Sequence, residues 1–379
     1  MKKKRALVRS AGWNAALCCV ESLSCDGWAV DVLTSTKWAQ AAMARRCSKY
    51  HLTPLEDHVA YLGILENALS GGQYDLFIPI SDVIVELASQ HREMILSHTR
   101  MILPDRSSVS VADDKGLTME LAEKLGAPIP ATLFPATMAE VLDGVAALGL
   151  PCVAKLRRGS GSAGVLIAHS VEEVEAFFEA RPEADDWPIL QAYRPGALIG
   201  VSVVCHKGRL LASHSFRVED RYLIGGTPPY AMSIEASEIE DCMAVMVEAL
   251  QWEGPLDFDF IETDEGDLLL IELNPRFSGT TSFAYRVGVD MPKLLADCAL
   301  GRHDNHEVVA TRPGTRFRTG LQYELICWGR DPLRRTGELI AGWLNPSILY
   351  VRRWSDPMLL FAQVLYALKA TVRFHRQKS

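Results

Sequence analysis

Several features that would redirect the interpretation are missing from this sequence of 379 residues. No apolar run approaches the roughly 20 residues that span a bilayer, so no transmembrane segment is predicted. The basic N-terminus, MKKKRALVRS, is followed by an apolar stretch too short for the core of a signal peptide. Internal repeats and low-complexity tracts are missing as well. These absences predict a globular cytoplasmic protein, long enough for two or three domains.

Paired cysteines and a basic overall charge are also missing. The nine cysteines are scattered, odd in number and without a C-x-x-C pair, which argues against a disulfide framework and a zinc site. A net charge of −8 disfavours a general nucleic-acid-binding protein. The charge is uneven, because residues 302–379 carry 13 Lys and Arg against 6 Asp and Glu. This basic tail either docks on an acidic partner or a membrane surface, or folds against its own acidic body.

Strands and helices alternate near the N-terminus. Residues 4–9 and 28–33 predict strands on either side of a helix, and residues 74–82 predict a further strand that leads into a helix. Such alternation is typical of a parallel, doubly wound sheet. Four residues would then lie at the carboxyl ends of strands, where open α/β sheets bind ligands: Ser10, Gly12, Ser81 and Asp82. Simple turn and N-cap chemistry explains them equally well.

Beyond residue 105 the pattern changes to mixed α+β units. The segment Val201–Phe216 predicts a hairpin that turns at Lys207 and Gly208. An apolar helix is predicted at 358–368. The predicted domains are an N-terminal Rossmann-like unit at 1–105, a small α+β unit with its linker helix at 106–189, a large α+β unit at 190–305 and a basic extension at 306–379.

A glycine- and serine-rich loop, RRGSGSAG, joins two predicted strands at Arg157–Gly164. Its peptide N–H groups can approach an anion without obstruction by side chains. It is not a Walker A loop, because no G-K-[ST] leads into a helix. Lys155 ends the strand that enters the loop and could offer a charge to phosphate oxygens, although a lysine there is usually only solvated. Lys115 stands near a helix start and is either exposed or paired with an anion.

The most informative run is LLLIELNPRFSG, which follows the strand GPLDFDFIET. The turn-forming residues between them predict an antiparallel hairpin, in which Asp259 and Glu272 can face the same side. Asn274 lies two residues beyond Glu272 and so on the same face. Carboxylate and amide oxygens suit Mg²⁺. Taken singly, each carboxylate could also be an ordinary solvent-facing strand residue.

Together these motifs resemble the ATP-grasp superfamily, in particular the carbamoyl-phosphate synthetase large chain, biotin carboxylase and D-alanine–D-alanine ligase. The resemblance covers roughly residues 1–300 and is most specific at E-x-N-P-R-F-S-G. It implies an α/β and α+β protein in which a Rossmann-like N-terminal domain precedes two α+β subdomains that clamp ATP. One departure is the stretch Leu198–Gly200, which has no carboxylate where relatives usually carry one near the ribose.

The resemblance implies roles by position. Phosphate contacts would come from Lys115 and Lys155, under a mobile flap that includes Gly159, Ser160, Gly161, Ser162 and Gly164. The adenine hinge would be Gln191, Ala192 and Tyr193. Two Mg²⁺ or Mn²⁺ ions would be held by Asp259, Glu272 and Asn274, while Arg276, Ser278 and Gly279 would face the carboxylate or acyl phosphate. Arg217 would contact phosphate or acceptor, with a salt bridge to Glu219 or Asp220 as an equal alternative.

The leading hypothesis is a carboxylate–amine ligase that forms an acyl phosphate and releases ADP and phosphate. Phosphorylation of bicarbonate or another small acid is a second hypothesis, and an ATP-binding sensor or scaffold without turnover is a third. The expected partners are small carboxylates and amines. A homodimer through the N-terminal domain and a weak membrane contact through the basic tail stay open. The sequence does not identify the acid or the amine.

Overall fold

The computed structural model describes most of the chain. The described residues are 3–10, 12–54, 58–159, 164–180, 187–220, 228–235, 237–302, 308–318, 321–330, 332–345, 348–350 and 356–376. Within them the chain forms three β-sheets, one parallel and four-stranded, one antiparallel and four-stranded, and one eight-stranded.

The first sheet is parallel and has helices on both faces. Its strands stand in the order β3-β2-β1-β4. They are β1 (Arg5–Arg9), β2 (Ala29–Thr34), β3 (Lys49–Leu52) and β4 (Leu76–Ile78). The helices of this part are α1 (Asn14–Cys25), α2 (Gln40–Met43), α3 (His58–Gly72), α4 (Asp82–Gln90), α5 (Arg92–His98) and α6 (Arg106–Asp113). Alternate strand residues enter two separate cores, one shared with α1 and α2 and the other with α3 and α4. The predicted parallel sheet is confirmed.

The second sheet is small, antiparallel and ordered β5-β8-β6-β7. Its elements are α7 (Lys115–Lys124), β5 (Thr132–Leu133), α8 (Met138–Leu148), β6 (Cys152–Lys155), β7 (Val165–Ala168), α9 (Val171–Glu179) and β8 (Ile189–Ala192). The helices α8 and α9 cover it through Val141, Val174 and Phe178. Because β8 belongs to this sheet, the expected domain boundary at residue 190 falls inside a strand.

The third sheet runs in the order β13-β12-β9-β10-β11-β15-β16, and β14 pairs beside β10. Its strands are β9 (Gly196–His206), β10 (Arg209–Asp220), β11 (Tyr230–Ser233), β12 (Gly254–Thr263), β13 (Leu268–Asn274), β14 (Val309–Ala310), β15 (Arg316–Arg318) and β16 (Ile348–Tyr350). The expected hairpin is β9–β10, where Lys207 and Gly208 turn the chain with φ of 51° and 70°.

Helices complete the second half of the chain. They are a short 3₁₀ turn (Ser237–Ile239), α10 (Glu240–Ala249), α11 (Thr281–Arg286), α12 (Met291–Ala299), α13 (Leu321–Arg330), α14 (Pro332–Leu344) and α15 (Pro357–Arg376). On one face of the large sheet, Val201, Phe258 and Leu273 pack against α7 and α10. At the centre of the sheet, the face turned away from α7 and α10 can therefore carry polar side chains.

The C-terminal extension is folded against the rest of the chain. Its strands β14, β15 and β16 join the large sheet, and Leu359 of α15 enters the core that contains α1 and α2. Within the described residues, no helix is both long and apolar enough to cross a membrane.

Candidate active site

The hairpin β12–β13 places acidic groups on the polar face of the large sheet. Asp259 stands directly opposite Glu272, and Asp257 stands opposite Asn274. The register shifts between Asp259 and Phe260, where Ile271 is the extra residue on β13. This β-bulge lets Leu270 enter the core while Glu272 faces the opposite side. The expected antiparallel pairing of Asp259 with Glu272 is confirmed.

These carboxylates crowd one another. Burial, reinforced by the neighbouring Asp257 and Glu272, raises the pKa of Asp259 well above its usual value. Burial also raises the pKa of Asp257 to about 6, although Arg276 and the hydroxyls of Ser202 and Ser278 favour its charged form. A divalent cation between Asp259 and Glu272 would relieve this repulsion.

The donor set fits a magnesium ion held partly by the protein. Asn274 lies beside the carboxylates and donates from Nδ2 to Asp259 Oδ2 at 3.3 Å. The part of the chain that the structure describes contains no group of three or more His, Cys, Asp or Glu side chains suited to a metal. Asp259, Glu272 and Asn274 would therefore leave several coordination positions to water and phosphate, as Mg²⁺ prefers.

Two buried lysines, one at the start of α7 and one at the end of β6 in the small sheet, lie near the same carboxylates. Lys115 Nζ lies 3.3 Å from Glu272 Oε1 and donates to the Gly159 carbonyl at 2.8 Å. Lys155 Nζ donates to Gln191 Oε1 at 2.6 Å. Burial lowers the pKa of Lys155 to about 8, against the opposing effect of Glu272. Both lysine side chains are more than nine-tenths buried and close to carboxylates, an arrangement that would suit a bound polyanion.

Arg276, which follows β13, connects the carboxylates to the parallel-sheet domain through an ion pair with Asp82. Its Nε lies 2.9 Å from Asp82 Oδ1, and its terminal nitrogen donates to Asn274 Oδ1 at 2.9 Å. The guanidinium carbon stands 5.3 Å from the ring centre of Trp13. Although burial opposes its charge, the surrounding carboxylates, led by Asp82, raise the pKa of Arg276. The guanidinium is thus held charged and oriented beside the carboxylates.

Strand ends of the parallel sheet meet next to Arg276, as the sequence pattern indicated. Ser10 at the end of β1 has a left-handed φ of 75°, which is uncommon for a residue other than glycine. Its Oγ lies 3.0 Å from Ser81 Oγ, and Asp82 begins α4. These polar strand ends lie beside Asp82, the ion-pair partner of Arg276.

A hydroxyl network supports the acids from below. Ser202 Oγ donates to Asp257 Oδ1 at 2.6 Å and lies 3.3 Å from Thr280 Oγ1. Thr280 in turn donates to Ser278 Oγ at 2.8 Å. Through Ser202 and Thr280, this network connects the Ser278 hydroxyl to Asp257, so the hydroxyl is already engaged in a hydrogen bond.

Some expected site residues lie elsewhere or are already engaged. Arg217 forms an ion pair with Glu262, while Glu219 pairs with Arg316 at 3.0 Å. The register sets Arg217 opposite Ile199, in the row of Phe260 that faces the core, so Arg217 does not join the carboxylates. The ion-pair partner found for Arg217 is thus Glu262, which β12 brings close, rather than the expected Glu219; the side chain of Asp220 lies outside the part of the chain that the structure describes.

The hinge and loop residues are placed only in part. Gln191 Nε2 donates to Thr132 Oγ1 at 2.8 Å, so this side chain orients Lys155. The Ala192 N–H already donates to the Ala131 carbonyl at 2.8 Å, and Tyr193 follows directly after β8. Gly159 and Gly164 border the loop, whereas Ser160, Gly161 and Ser162 lie outside the described residues.

Three contributors were not recognised as site residues from the sequence. Asp257 lies two residues before Asp259 on β12, so strand alternation in D-F-D already indicated a shared face. Ser202 lies opposite Asp257 on β9, which only the register reveals. Trp13, just before α1, gave no signal at all.

Comparisons with known proteins identify a domain family and several relatives that resemble this chain. A family model for the ATP-grasp domain matches residues 112–280. The carbamoyl phosphate synthase large chain of Thermotoga neapolitana is 25% identical over 241 residues, covering 59% of this chain and 22% of that protein. The formate-dependent phosphoribosylglycinamide formyltransferase of Xanthomonas axonopodis pv. citri is 26% identical over 155 residues, covering 40% of this chain and 36% of that protein. The chain thus spans about a fifth to a third of the length of these curated relatives.

Solved structures share the fold. The biotin carboxylase domain dimer of Hydrogenobacter thermophilus 2-oxoglutarate carboxylase, in complex with MgADP, ADP and bicarbonate, superimposes with a TM-score of 0.68 at 17% identity, covering 83% of this chain and 74% of that one. N5-carboxyaminoimidazole ribonucleotide synthetase from Thermus thermophilus gives a TM-score of 0.63 at 18% identity, covering 82% and 81%. The family model thus identifies residues 112–280 as similar to an ATP-grasp domain, and the solved structures show that the chain shares their fold.

Proposed function

We propose that this chain is an ATP-dependent carboxylate–amine ligase that works through an acyl phosphate. The observation that carries the proposal is the cluster in which Lys115 pairs with Glu272 and Arg276 lies beside Asn274. Cations from two directions converge on carboxylates that crowd each other. Such a cluster is costly unless a polyanion and its metal ion complete it.

The residues divide the work of phosphoryl transfer between them. Lys115 and Lys155 would neutralise the ATP phosphates, and Gln191 would keep Lys155 in place. Asp259, Glu272 and Asn274 would hold one or two Mg²⁺ ions, which neutralise the transferring phosphoryl group when bound. Phosphoryl transfer depends mainly on such positioning and charge neutralisation.

Arg276 would bind the acid and its phosphorylated form. A substrate carboxylate oxygen attacks the γ-phosphorus, the bond to the β,γ-bridging oxygen breaks, and ADP leaves. The amine nitrogen then attacks the acyl carbon, the bond to the phosphate oxygen breaks, and phosphate leaves as the nitrogen loses a proton. The guanidinium fork suits both the carboxylate and the acyl phosphate. Through its contact with Asp82, Arg276 lies near the polar strand ends at Ser10 and Ser81, which would face the acceptor.

A substrate screen tests the proposal. The protein is incubated with ATP, Mg²⁺ and pools of carboxylates, each with and without a pool of amines, and ADP and phosphate are measured. We expect ADP release that requires an acid and rises when an amine is added. Glu272→Gln combined with Asn274→Ala should abolish this stimulation.

The matched control is Arg316→Lys, an exposed position paired with Glu219, which should retain full activity. Stimulation by bicarbonate alone would instead favour the phosphorylation of a small inorganic acid. Binding of ATP without any stimulated turnover would favour a sensor. Unchanged stimulation in the Glu272 and Asn274 double variant would refute the assigned site.

A further inference from the structure

The last helix exposes an apolar stripe that the proposed chemistry does not use. Met358, Phe361, Leu365 and Leu368 recur at helical spacing along one side of α15, and we call them the α15 stripe. Met358, Phe361 and Leu368 are 53%, 48% and 59% exposed. Trp38, which precedes α2, is 42% exposed and meets Phe361 edge to face, with ring centres 6.1 Å apart. An aromatic and aliphatic surface of this kind marks an interaction site more often than a chance exposure.

The stripe is fixed in place by the opposite side of the helix. Asp356 accepts hydrogen bonds from the Arg45 N–H at 2.7 Å and from the Leu359 N–H at 3.1 Å, so it joins the start of α15 to the end of α2. Leu359 and Ala362 are buried. Because these buried residues determine the rotation of α15, the stripe faces outward as a consequence of packing.

Basic groups accompany the stripe. Lys37 Nζ stands 4.9 Å from the ring centre of Trp38, and Lys369, the next residue after Leu368, is exposed. The sequence adds Arg373, Arg376 and Lys378 within the following ten residues. Residues 302–379 carry a net charge of +7, whereas residues 1–301 carry −15. The C-terminal segment that carries the apolar stripe is therefore basic, whereas the part of the chain before it is acidic.

We propose that the α15 stripe and Trp38 dock the protein on an anionic lipid surface. Apolar side chains with neighbouring lysines suit the boundary between headgroups and acyl chains, where tryptophan also favours a position. Lysine side chains beside the stripe can reach phosphates while their methylene stems stay in apolar surroundings. The acidic body is repelled by the same surface, which orients the molecule with α15 towards the lipid.

Charge distinguishes this occupant from a second copy of the chain. In a two-fold dimer the same basic patch is contributed by both copies, so the two facing surfaces carry net charge of the same sign. Like charges facing each other across an interface are costly. An anionic surface has the complementary charge over its whole area and needs no matching groove.

Sedimentation with vesicles tests the proposal. The full-length protein is mixed with vesicles of phosphatidylcholine alone or of phosphatidylcholine with phosphatidylserine. We expect binding to the anionic vesicles that weakens with added salt. Phe361→Ser with Leu368→Ser should lower the partition coefficient about tenfold, and Lys369→Glu should weaken binding to the anionic vesicles only.

The matched control is Val59→Ser, because Val59 is exposed on α3, which covers the other face of the parallel sheet. This control should bind as the unchanged protein does, and all variants should retain its ATP turnover and circular dichroism. Three results would overturn the proposal: no sedimentation with anionic vesicles, equal binding by the Phe361 and Leu368 double variant, or a stripe-dependent dimer in solution without vesicle binding. Capture by an acidic protein without vesicle binding would overturn it as well.

Discussion

The protonation of Lys155 depends on a balance between burial and its charged neighbours. Burial lowers its pKa to about 8, Glu272 and Asp259 act in the opposite direction, and Lys115 adds to the lowering. Lys155 therefore loses its charge much closer to neutral pH than an ordinary lysine does. Bound phosphates would restore its proton, which links ATP affinity to pH.

We expect ATP affinity to fall by up to about tenfold between about pH 7.5 and about pH 9. Over this range the empty protein loses the Lys155 proton, and binding then requires that it be taken up again. Lys155→Met should bind ATP more weakly and remove most of this dependence. Isothermal titration calorimetry in a series of buffers measures both. An equally steep profile in Lys155→Met would assign the effect to another group.

Arg276 holds two contacts that a lysine cannot make together. Its guanidinium reaches Asp82 and Asn274 at 2.9 Å each. We expect Arg276→Lys to keep the charge but lose the fork, lowering acid-stimulated ADP release by about 100-fold. Steady-state assays with the identified acid measure this, with Arg316→Lys as the control. Wild-type turnover in Arg276→Lys would show that the fork is not needed.

At the scale of residues, sequence reasoning works where strand alternation carries the chemistry. The alternation of side chains along a strand predicts that Asp259, Glu272 and Asn274 lie on one face of the hairpin, and the observed register agrees. Arg217 could not be placed in this way, because its partner Glu262 is 45 positions away and is determined by sheet order. Pairing between distant strands leaves no local pattern.

At the scale of elements, the bulge at Ile271 could not be read from the sequence. Residues 268–271 are all apolar, so the sequence shows no alternation of polar and apolar residues there. An extra residue in the strand therefore leaves no visible break in the pattern. Without the bulge, regular alternation after Leu270 would turn Glu272 towards the core. Because of the bulge, Leu270 on β13 faces the core, whereas Glu272 two residues later faces the proposed site.

Strand β10 carries a buried histidine whose titration affects stability. His214 is fully buried between the rings of Phe216 and Phe283, and its Nδ1 lies 2.6 Å from Thr311 Oγ1. Burial lowers the pKa of His214 from 6.5 to about 3. Above pH 6.5 the side chain is neutral in both the folded and unfolded protein. Below this pH the unfolded chain takes up a proton that the folded protein excludes until about pH 3. The free energy of unfolding therefore decreases as the pH is lowered from 6.5 towards 3.

At about pH 5 this histidine should lower the free energy of unfolding by about 2 kcal/mol relative to about pH 7.5. His214→Asn removes the titrating group and should reduce the loss of stability on acidification by about that amount. Urea unfolding at the two pH values measures the difference. His98→Asn, at an exposed position in α5, is the control and should respond to acidification as the unchanged protein does. Equal losses in both variants would exclude His214 as the cause.

At the scale of the whole molecule, the proposed site lies where residues from the neighbourhood of three sheets come together. Lys155 lies on the small sheet and Asp259 on the large sheet. Asp82, next to the parallel sheet, forms an ion pair with Arg276. The sequence indicated each unit, but it left the basic tail undecided between its own body and an outside surface. The structure shows the tail packed on its own body, since Leu359 is buried there, while docking of the outward-facing α15 stripe on another surface stays a proposal.

Because the empty site holds crowded charges, one substitution should raise stability and abolish ligand binding. Burial and the carboxylates of Asp257 and Glu272 raise the pKa of Asp259, so its negative charge destabilises the empty fold. We expect Asp259→Asn to increase the stability of the empty protein by about 1 kcal/mol. The unchanged protein should gain about 2.7 kcal/mol from Mg·ATP at about 100 times its dissociation constant, and Asp259→Asn should gain almost nothing. Thermal unfolding with and without Mg·ATP measures both effects, with Arg316→Lys expected to match the unchanged protein. A less stable empty variant that still responds to Mg·ATP would mean that Asp259 is a structural residue rather than a metal ligand.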